Sequence, residues 1–402
     1  MHGSIVQLEA QYCAQNYAPL PVVLTRGADC YVWDQAGRRY LDMMSAYSAV
    51  SHGHCHPRLV QALTEQARTL AIVSRAYYTD KLAPFLQRAC ELTRMDRALP
   101  MNSGAEAVET ALKAARKWAY AVKGVPNEAA ELIACEGNFH GRTLGVLSLS
   151  TEAQYRDGFG PLLPGMRIVP FGDADALERA ITPNTAAFVV EPIQGEAGIR
   201  VPPPEYLRRC AELCRRHRVL LIADEIQSGL GRTGRFLACE HSAVQPDGLI
   251  LGKSLGGGLL PVSMFLARKD VMDVFTPGDH GSTFGGSALA SAVGLAALDT
   301  LIDERLVERS ARLGGHLLDA LRTLRSPLIR EIRGRGLWVG VDFDPAKIPA
   351  RTVAEALLAR GILSKETHGT VIRFAPPLTI AREQIDWAVA QFGEILGEAR
   401  RQ

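Results

Sequence analysis

The sequence predicts an α/β protein with a mostly parallel central sheet and helices on both faces, joined to a smaller α+β domain. Three observations predict it. Apolar runs too short for helices recur at residues 131–135, 186–190, 219–223 and 249–252. Helical patterns such as the amphipathic run 206–217 alternate with them, and alternation of this kind builds a parallel, two-sided sheet. The strand runs exit into charged or glycine-bearing segments, on the side where open α/β sheets collect ligands.

The 402 residues are enough for two or three domains. We expect an N-terminal segment of a small domain at 1–45, a large domain at 46–300 and a C-terminal small domain at 301–402. A content of 47% hydrophobic and 22% charged residues is that of a soluble globular chain. With 45 basic and 43 acidic residues, the net charge of +2 implies no bulk attraction to nucleic acid or anionic membrane. No Lys or Arg precedes Arg26 and no apolar core follows the start, so no signal peptide is expected. The uncharged run 281–298 holds Gly285, Gly286, Ser287, Ser291 and Gly294 and reads as a buried small-residue helix rather than a membrane span. Eight scattered cysteines suggest reduced thiols and a cytoplasmic protein.

Taken in order, residues 1–45 contain an irregular start and a hairpin, with strand runs 30–33 and 39–42 around the turn Asp34-Gln-Ala-Gly37. The segment SHGHCHP at 51–57 carries three histidines and a cysteine. Its spacing fits no structural zinc pattern and no second cluster completes it, so it reads as a turn before a helix at 58–70. At 100–118, Ala107, Ala111, Leu112, Ala115 and Trp118 follow helical spacing, with Ser103 and Gly104 at the helix start and Glu106 and Glu109 in its early turns. Free N–H groups there make Ser103, Gly104 and Ala105 a candidate phosphate cradle, or simply a capped helix. After strand 131–135, Phe139 is placed to stack on a flat ring and Arg142 to clamp a carboxylate; core packing and a surface ion pair are their plainer alternatives. Strand 186–190 exits into Glu191-Pro-Ile-Gln-Gly-Glu196, where Glu196 is a candidate partner for an arginine or a solvated carboxylate. Beyond 300, a long helical run to about 324, a strand at 337–343, a helix at 353–360, a strand at 371–374 and a helix at 382–397 make a compact α+β domain.

The chain is organised around 219–258. Its two strand runs end in Asp224 and Lys253, charges that a buried strand does not tolerate unpaired. The plain readings are a buried ion pair or an Asp capping a helix that begins DEIQ. The functional reading is one cofactor held from two ends: Lys253 as a Schiff-base amine for the aldehyde of pyridoxal phosphate, Asp224 facing the pyridine nitrogen and keeping the ring an electron sink. Two rival motifs are weak. Gly229-Leu-Gly-Arg-Thr-Gly234 fits G-x-G-x-x-G but does not directly follow a strand or open a clear helix. Gly248-Leu-Ile-Leu-Gly-Lys253-Ser254 is one residue short of a phosphate loop and apolar where that loop should be.

The segments NSGAEAVETALKAARK, FHGRTLG, EPIQGEAG, ADEIQSGLGRTG, LGKSLGGG and HGSTFGG, in this order and spacing, resemble the class III, fold type I pyridoxal-phosphate aminotransferases over almost the whole chain. The resemblance implies that Lys253 is the Schiff-base lysine, that Asp224 serves the pyridine nitrogen and that Gln227 bonds the ring hydroxyl. It also implies that Phe139 stacks on the ring and that Ser103, Gly104 and Ala105 hold the phosphate with Thr283 of a neighbouring subunit. Members are at least homodimers with the site at the subunit interface, and no metal is implied. The pairing of Asn16-Tyr17-Ala-Pro-Leu-Pro21 with Tyr47 in SAYSAV is closest to the ornithine-using members, with acetylornithine and other ω-amine users as the alternative. Tyr17 would then meet the ornithine α-amino group and Arg142 its α-carboxylate, while Tyr47 would shape the pocket. Arg373 would bind glutamate or 2-oxoglutarate and pair with Glu196 when ornithine is bound. Two departures stand out: GGSALA, with Ser287, where GGNPLA is usual, and a bulky Leu337–Trp338 region.

Overall fold

The computed structural model describes residues 2–399. Its centre is a seven-stranded sheet in the order Arg97–Met101, Ser263–Ala267, Gly248–Leu251, Leu220–Asp224, Thr185–Val190, Glu131–Cys135, Met166–Val169. The last five run parallel, and Ser263–Ala267 is antiparallel to both of its neighbours. The strands Thr185–Val190, Leu220–Asp224 and Gly248–Leu251 are buried along their whole length. That is why they read as continuous apolar runs, the pattern of a sheet covered on both faces. Successive side chains alternate between the two cores. Leu220 and Ile222 join Ala107, Ala111 and Ala115 of helix Gly104–Trp118, whereas Leu221 and Ala223 join Leu207, Cys210 and Cys214 of helix Tyr206–Arg216.

A smaller α+β region is assembled from both ends of the chain. Strands Leu24–Ala28, Tyr31–Asp34 and Arg39–Asp42 form an antiparallel meander. Ile362–Leu363 adds to it in parallel, with Ile362 opposite Leu41. An antiparallel sheet, Ile329–Gly334, Val339–Phe343, Val371–Phe374 and Lys365–Thr367, stands beside it. No helix among the described residues is long and apolar enough to cross a membrane.

Several expectations are corrected. The irregular start is a helix, His2–Tyr12; its residues 5–12 are all exposed, so no buried face imposes a periodic pattern. The run expected from about 300 to 324 starts later, as helix Leu306–Thr323; the small-residue helix before it, Ala288–Asp303, extends past 300 and is parted from it at Arg305 by a left-handed backbone (φ 54°). The segment DEIQ opens no helix. It is a turn in which buried Glu225 accepts from Ser228 Oγ and from the Ala238 and Cys239 amides. Each histidine of SHGHCHP has its own protein partner: His52 meets the Ala297 carbonyl, His54 the Asp42 carboxylate and His56 Glu304. Ser287 caps helix Ala288–Asp303, its hydroxyl accepting from the Ala290 amide at 3.2 Å.

Candidate active site

Residues from four neighbouring exits of the large sheet, together with the start of helix Gly104–Trp118, line one cavity. It is bounded by Gly104 and Ala105, by Phe139, His140 and Gly141, by Glu191 and Ile193, by Asp224, Ile226, Gln227 and Ser228, and by Lys253. The parallel strands bring their carboxyl ends together here, as open α/β sheets do.

Asp224 ends strand Leu220–Asp224 and is buried. Its partner is His140, not Lys253: His140 Nδ1 lies 2.6 Å from Asp224 Oδ2, and Asp224 Oδ1 accepts from the Ile226 amide at 3.1 Å. Burial alone would lower the His140 pKa, but the bond and the charge of Asp224 outweigh it and hold the ring above its ordinary value. The carboxylate therefore stays in place with lone pairs still available to the cavity. Lys253 follows strand Gly248–Leu251 in a left-handed conformation (φ 46°) that costs a non-glycine residue free energy. Desolvation pulls its amine below the ordinary lysine value, against the opposing pull of Glu196, Asp224 and Glu191. The turn Lys253–Gly256 that follows is a single short 3-10 turn, so no helix N-terminus completes a phosphate loop there.

At the other end, Ser103 caps helix Gly104–Trp118 in a reciprocal box with Glu106. The amides of Gly104 and Ala105 have no protein partner among the described residues, which leaves a ready anion site facing the cavity. Gly141 is needed beside it: a Cβ there would lie 2.8 Å from Ala105 Cβ. The donor set suits pyridoxal phosphate, with unpaired amides for a phosphate, Phe139 on the cavity wall, a buried carboxylate for a ring nitrogen and a desolvated amine.

The substrate candidates gather where the loop that carries Glu196 meets strand Val371–Phe374. Arg373 Nη1 lies 2.9 Å from Glu196 Oε1, and the Arg373 guanidinium sits 4.9 Å from the centre of the Tyr47 ring. Arg142, exposed, makes no ion pair among the described residues; it lies 3.9 Å over Tyr155 and 5.7 Å from Phe139. Tyr17 is 72% exposed. Thr283 does not reach the cavity of its own chain; it is exposed on the loop that Ser282 ties to Asn102 at 2.7 Å. Fully buried Trp338 packs with Ile193, Ile199 and Ala375 beneath the loop that carries Glu196. Gly195 must stay glycine, since a Cβ would fall 2.1 Å from Gln227 Oε1 and 2.8 Å from the Trp338 ring.

Tyr47 is presented by an unusual turn. Ser45, Ala46, Tyr47 and Ser48 all have positive φ, at 44°, 46°, 59° and 74°. Left-handed backbone costs an L-residue about 1–2 kcal/mol, so four in a row persist only where the surroundings impose them. Asp42 Oδ1 accepts from the Met44 and Ser45 amides at 2.9 Å, and Ser51 Oγ donates to the Ser48 carbonyl at 2.9 Å.

Sequence reasoning missed His140 and Glu191, which line the cavity, and Tyr155, which lies under the Arg142 guanidinium. The need of a buried Asp224 for a hydrogen-bond partner was the available signal for the first. Glu191 is buried, accepts from the Phe139 amide at 3.0 Å and faces His140, Asp224 and Lys253; burial pushes its pKa up to about 7. A carboxyl raised in the fold contributes stability below about 4.5 that is lost as pH climbs through about 7. Between pH 5 and pH 8 the wild-type melting temperature is therefore expected to fall relative to that of Glu191→Gln, and a constant gap between the two would refute the raised value.

The family model for class-III aminotransferases matches residues 12–396. The ornithine aminotransferase of Geobacillus sp. is 54% identical over 391 residues, which cover 97% of this chain and 98% of that protein. The crystal structure of the ornithine aminotransferase from Toxoplasma gondii ME49 superposes with a TM-score of 0.98 at 47% identity, covering 100% of this chain and 96% of that one. An acetylornithine aminotransferase from Elizabethkingia anophelis follows with a TM-score of 0.90 at 46% identity, over 99% of this chain and 98% of that one. The match begins before Tyr17 and ends beyond Arg373, so every residue gathered around the cavity lies inside it, and the chain belongs to the class III pyridoxal-phosphate-dependent aminotransferases.

Proposed function

We propose that the enzyme moves the δ-amino group of L-ornithine to 2-oxoglutarate, giving glutamate 5-semialdehyde, which closes to pyrroline-5-carboxylate, and glutamate. The observation that carries this reading is the ion pair of Arg373 with Glu196 at 2.9 Å. It masks one of two carboxylate-binding arginines. With Arg373 neutralised, the α-carboxylate of ornithine goes to Arg142 and its α-amino group to Tyr17, so the δ-amine is the end that reaches the centre. When the pair opens, Arg373 takes a carboxylate of 2-oxoglutarate, and two unlike substrates use one site in turn. Tyr47, over Arg373, narrows the choice.

Bound pyridoxal phosphate supplies the electron sink that makes the amine-bearing carbon acidic. The Gly104 and Ala105 amides with Ser103 would hold its phosphate, Phe139 would stack on its ring, and Gln227 and Asp224 would meet the ring hydroxyl and nitrogen. His140 keeps Asp224 oriented. Lys253 Nζ, whose charged form burial disfavours, takes the proton from the amine-bearing carbon of the substrate and gives one back.

We further propose a cytoplasmic enzyme that works at least as a homodimer, because Thr283 is exposed outside its own cavity and serves the phosphate of a second copy. Residues 1–45 and 301–402 are read as one small domain against a large domain at 46–300. A substrate panel tests the function: L-ornithine, N-acetyl-L-ornithine, L-lysine and 4-aminobutyrate with 2-oxoglutarate. Ornithine is expected to give the highest kcat/KM, with pyrroline-5-carboxylate as product. Preference for N-acetyl-L-ornithine would keep the fold and the Lys253 chemistry but overturn the roles of Tyr17, Arg142 and Glu196.

A further inference from the structure

Arg232 lies inside the G-x-G-x-x-G segment that the proposed function leaves unused. It is one of the largest fully buried side chains of the protein, and no carboxylate pairs with it among the described residues. Its two terminal nitrogens face opposite ways. Nη1 donates to the Pro376 carbonyl at 2.6 Å and the Leu337 carbonyl at 3.0 Å. Nη2 donates to Ser45 Oγ at 3.1 Å and Ser51 Oγ at 2.9 Å. The first pair lies in the small-domain segments next to Trp338 and just past Arg373. The second pair brackets the left-handed turn that presents Tyr47, and both hydroxyls pass the restraint on. Ser45 Oγ donates to the Ala375 carbonyl at 2.6 Å, and Ser51 Oγ donates to the Ser48 carbonyl at 2.9 Å.

We propose that Arg232 is a positioning residue for the 2-oxo acid. It staples the turn 45–48 to the chain that follows Arg373, and so fixes the Tyr47 ring against the Arg373 guanidinium that receives the substrate carboxylate. A guanidinium suits the task because its planar fork serves two acceptors on each side, whereas an ammonium is a single point charge. A left-handed turn of four L-residues relaxes toward ordinary backbone once its ends are released, and Tyr47 then leaves Arg373. The inference rests on the reading of Arg373 as the carboxylate site.

The test uses the cofactor-loaded enzyme and three variants, Arg232→Lys, Ser51→Ala and Arg373→Gln, with each half-reaction followed separately. Arg232→Lys is expected to raise the KM for 2-oxoglutarate about tenfold or more, the effect of losing one or two hydrogen bonds from a charged donor. The ornithine half-reaction, whose carboxylate rests on Arg142, should change less than about threefold on the same scale. Ser51→Ala, which removes one acceptor and leaves the other three, should move the same KM in the same direction by a smaller factor, and it carries the test if Arg232→Lys does not fold. An unchanged KM for 2-oxoglutarate in these two variants, or an equal loss in both half-reactions with a lowered melting temperature, overturns the staple. If Arg373→Gln raises that KM while neither staple variant does, the staple alone fails. If Arg373→Gln leaves it unchanged, the carboxylate reading fails and takes the staple with it.

Discussion

Replacing Lys253 with alanine is expected to lower kcat by about 10⁴-fold or more and to abolish the yellow colour contributed by lysine-bound cofactor. General acid–base catalysis by a placed side chain supplies about 10²–10⁴-fold, and here the same amine also carries the covalent attachment. No other amine replaces it: among the groups lining the cavity Lys253 is the sole lysine, and its neighbours Asp224, Glu191 and His140 are held in hydrogen bonds of their own. The variant should still fold, since the Lys253 side chain makes no hydrogen bond or ion pair among the described residues and alanine leaves the strand Gly248–Leu251 untouched. Turnover measured beside a melting curve decides the matter. Wild-type activity in a folded Lys253→Ala protein would remove the lysine from the mechanism.

The second large effect is expected at Asp224. Asp224→Ala should reduce kcat by about 10²–10³-fold, the usual effect of deleting one pre-organised electrostatic partner at a reacting centre. Its removal acts twice. The cofactor nitrogen loses its counter-charge, and the buried His140 ring, held above its ordinary pKa by this carboxylate, reverts toward the neutral form that burial favours. The kcat for ornithine should fall far more than the KM rises, because Asp224 touches no substrate candidate. A fall confined to KM would place Asp224 in substrate binding instead.

Much of this was legible in the chain before any coordinates. Strands buried on both faces announce themselves as apolar runs, and the charges that close them, Asp224 and Lys253, mark a ligand end because nothing apolar tolerates them unpaired. The capped start of helix Gly104–Trp118 was equally plain, since Ser103 and Glu106 have the spacing of a reciprocal cap. What stayed hidden depends on distant pairing. The two edge strands, Arg97–Met101 and Met166–Val169, carry patterns too short or mixed to stand out, and Ser263–Ala267, which pairs with Arg97–Met101, follows a glycine-rich turn that hides it. His140 is adjacent to a predicted site residue, but only the fold brings it to Asp224, 84 positions on. The left-handed run Ser45–Ser48 contains no glycine to betray it; its conformation is imposed from outside by Asp42 and Arg232.

The parallel pairing of Leu41 with Ile362 has a kinetic consequence for synthesis. The Leu41 amide is satisfied by the Gly361 carbonyl and the Met43 amide by that of Leu363, so the Arg39–Asp42 edge of the N-terminal meander waits for about 320 further residues before it is covered. At translation rates of ~5–20 residues per second, that open edge persists for roughly 16–64 s on the ribosome. During that time all seven strands of the large sheet emerge and pair, while strand Arg39–Asp42 remains a free template for pairing with another nascent chain. Misassembly of this protein during overproduction should therefore begin at its N-terminal hairpin, and slower translation would lengthen the exposure.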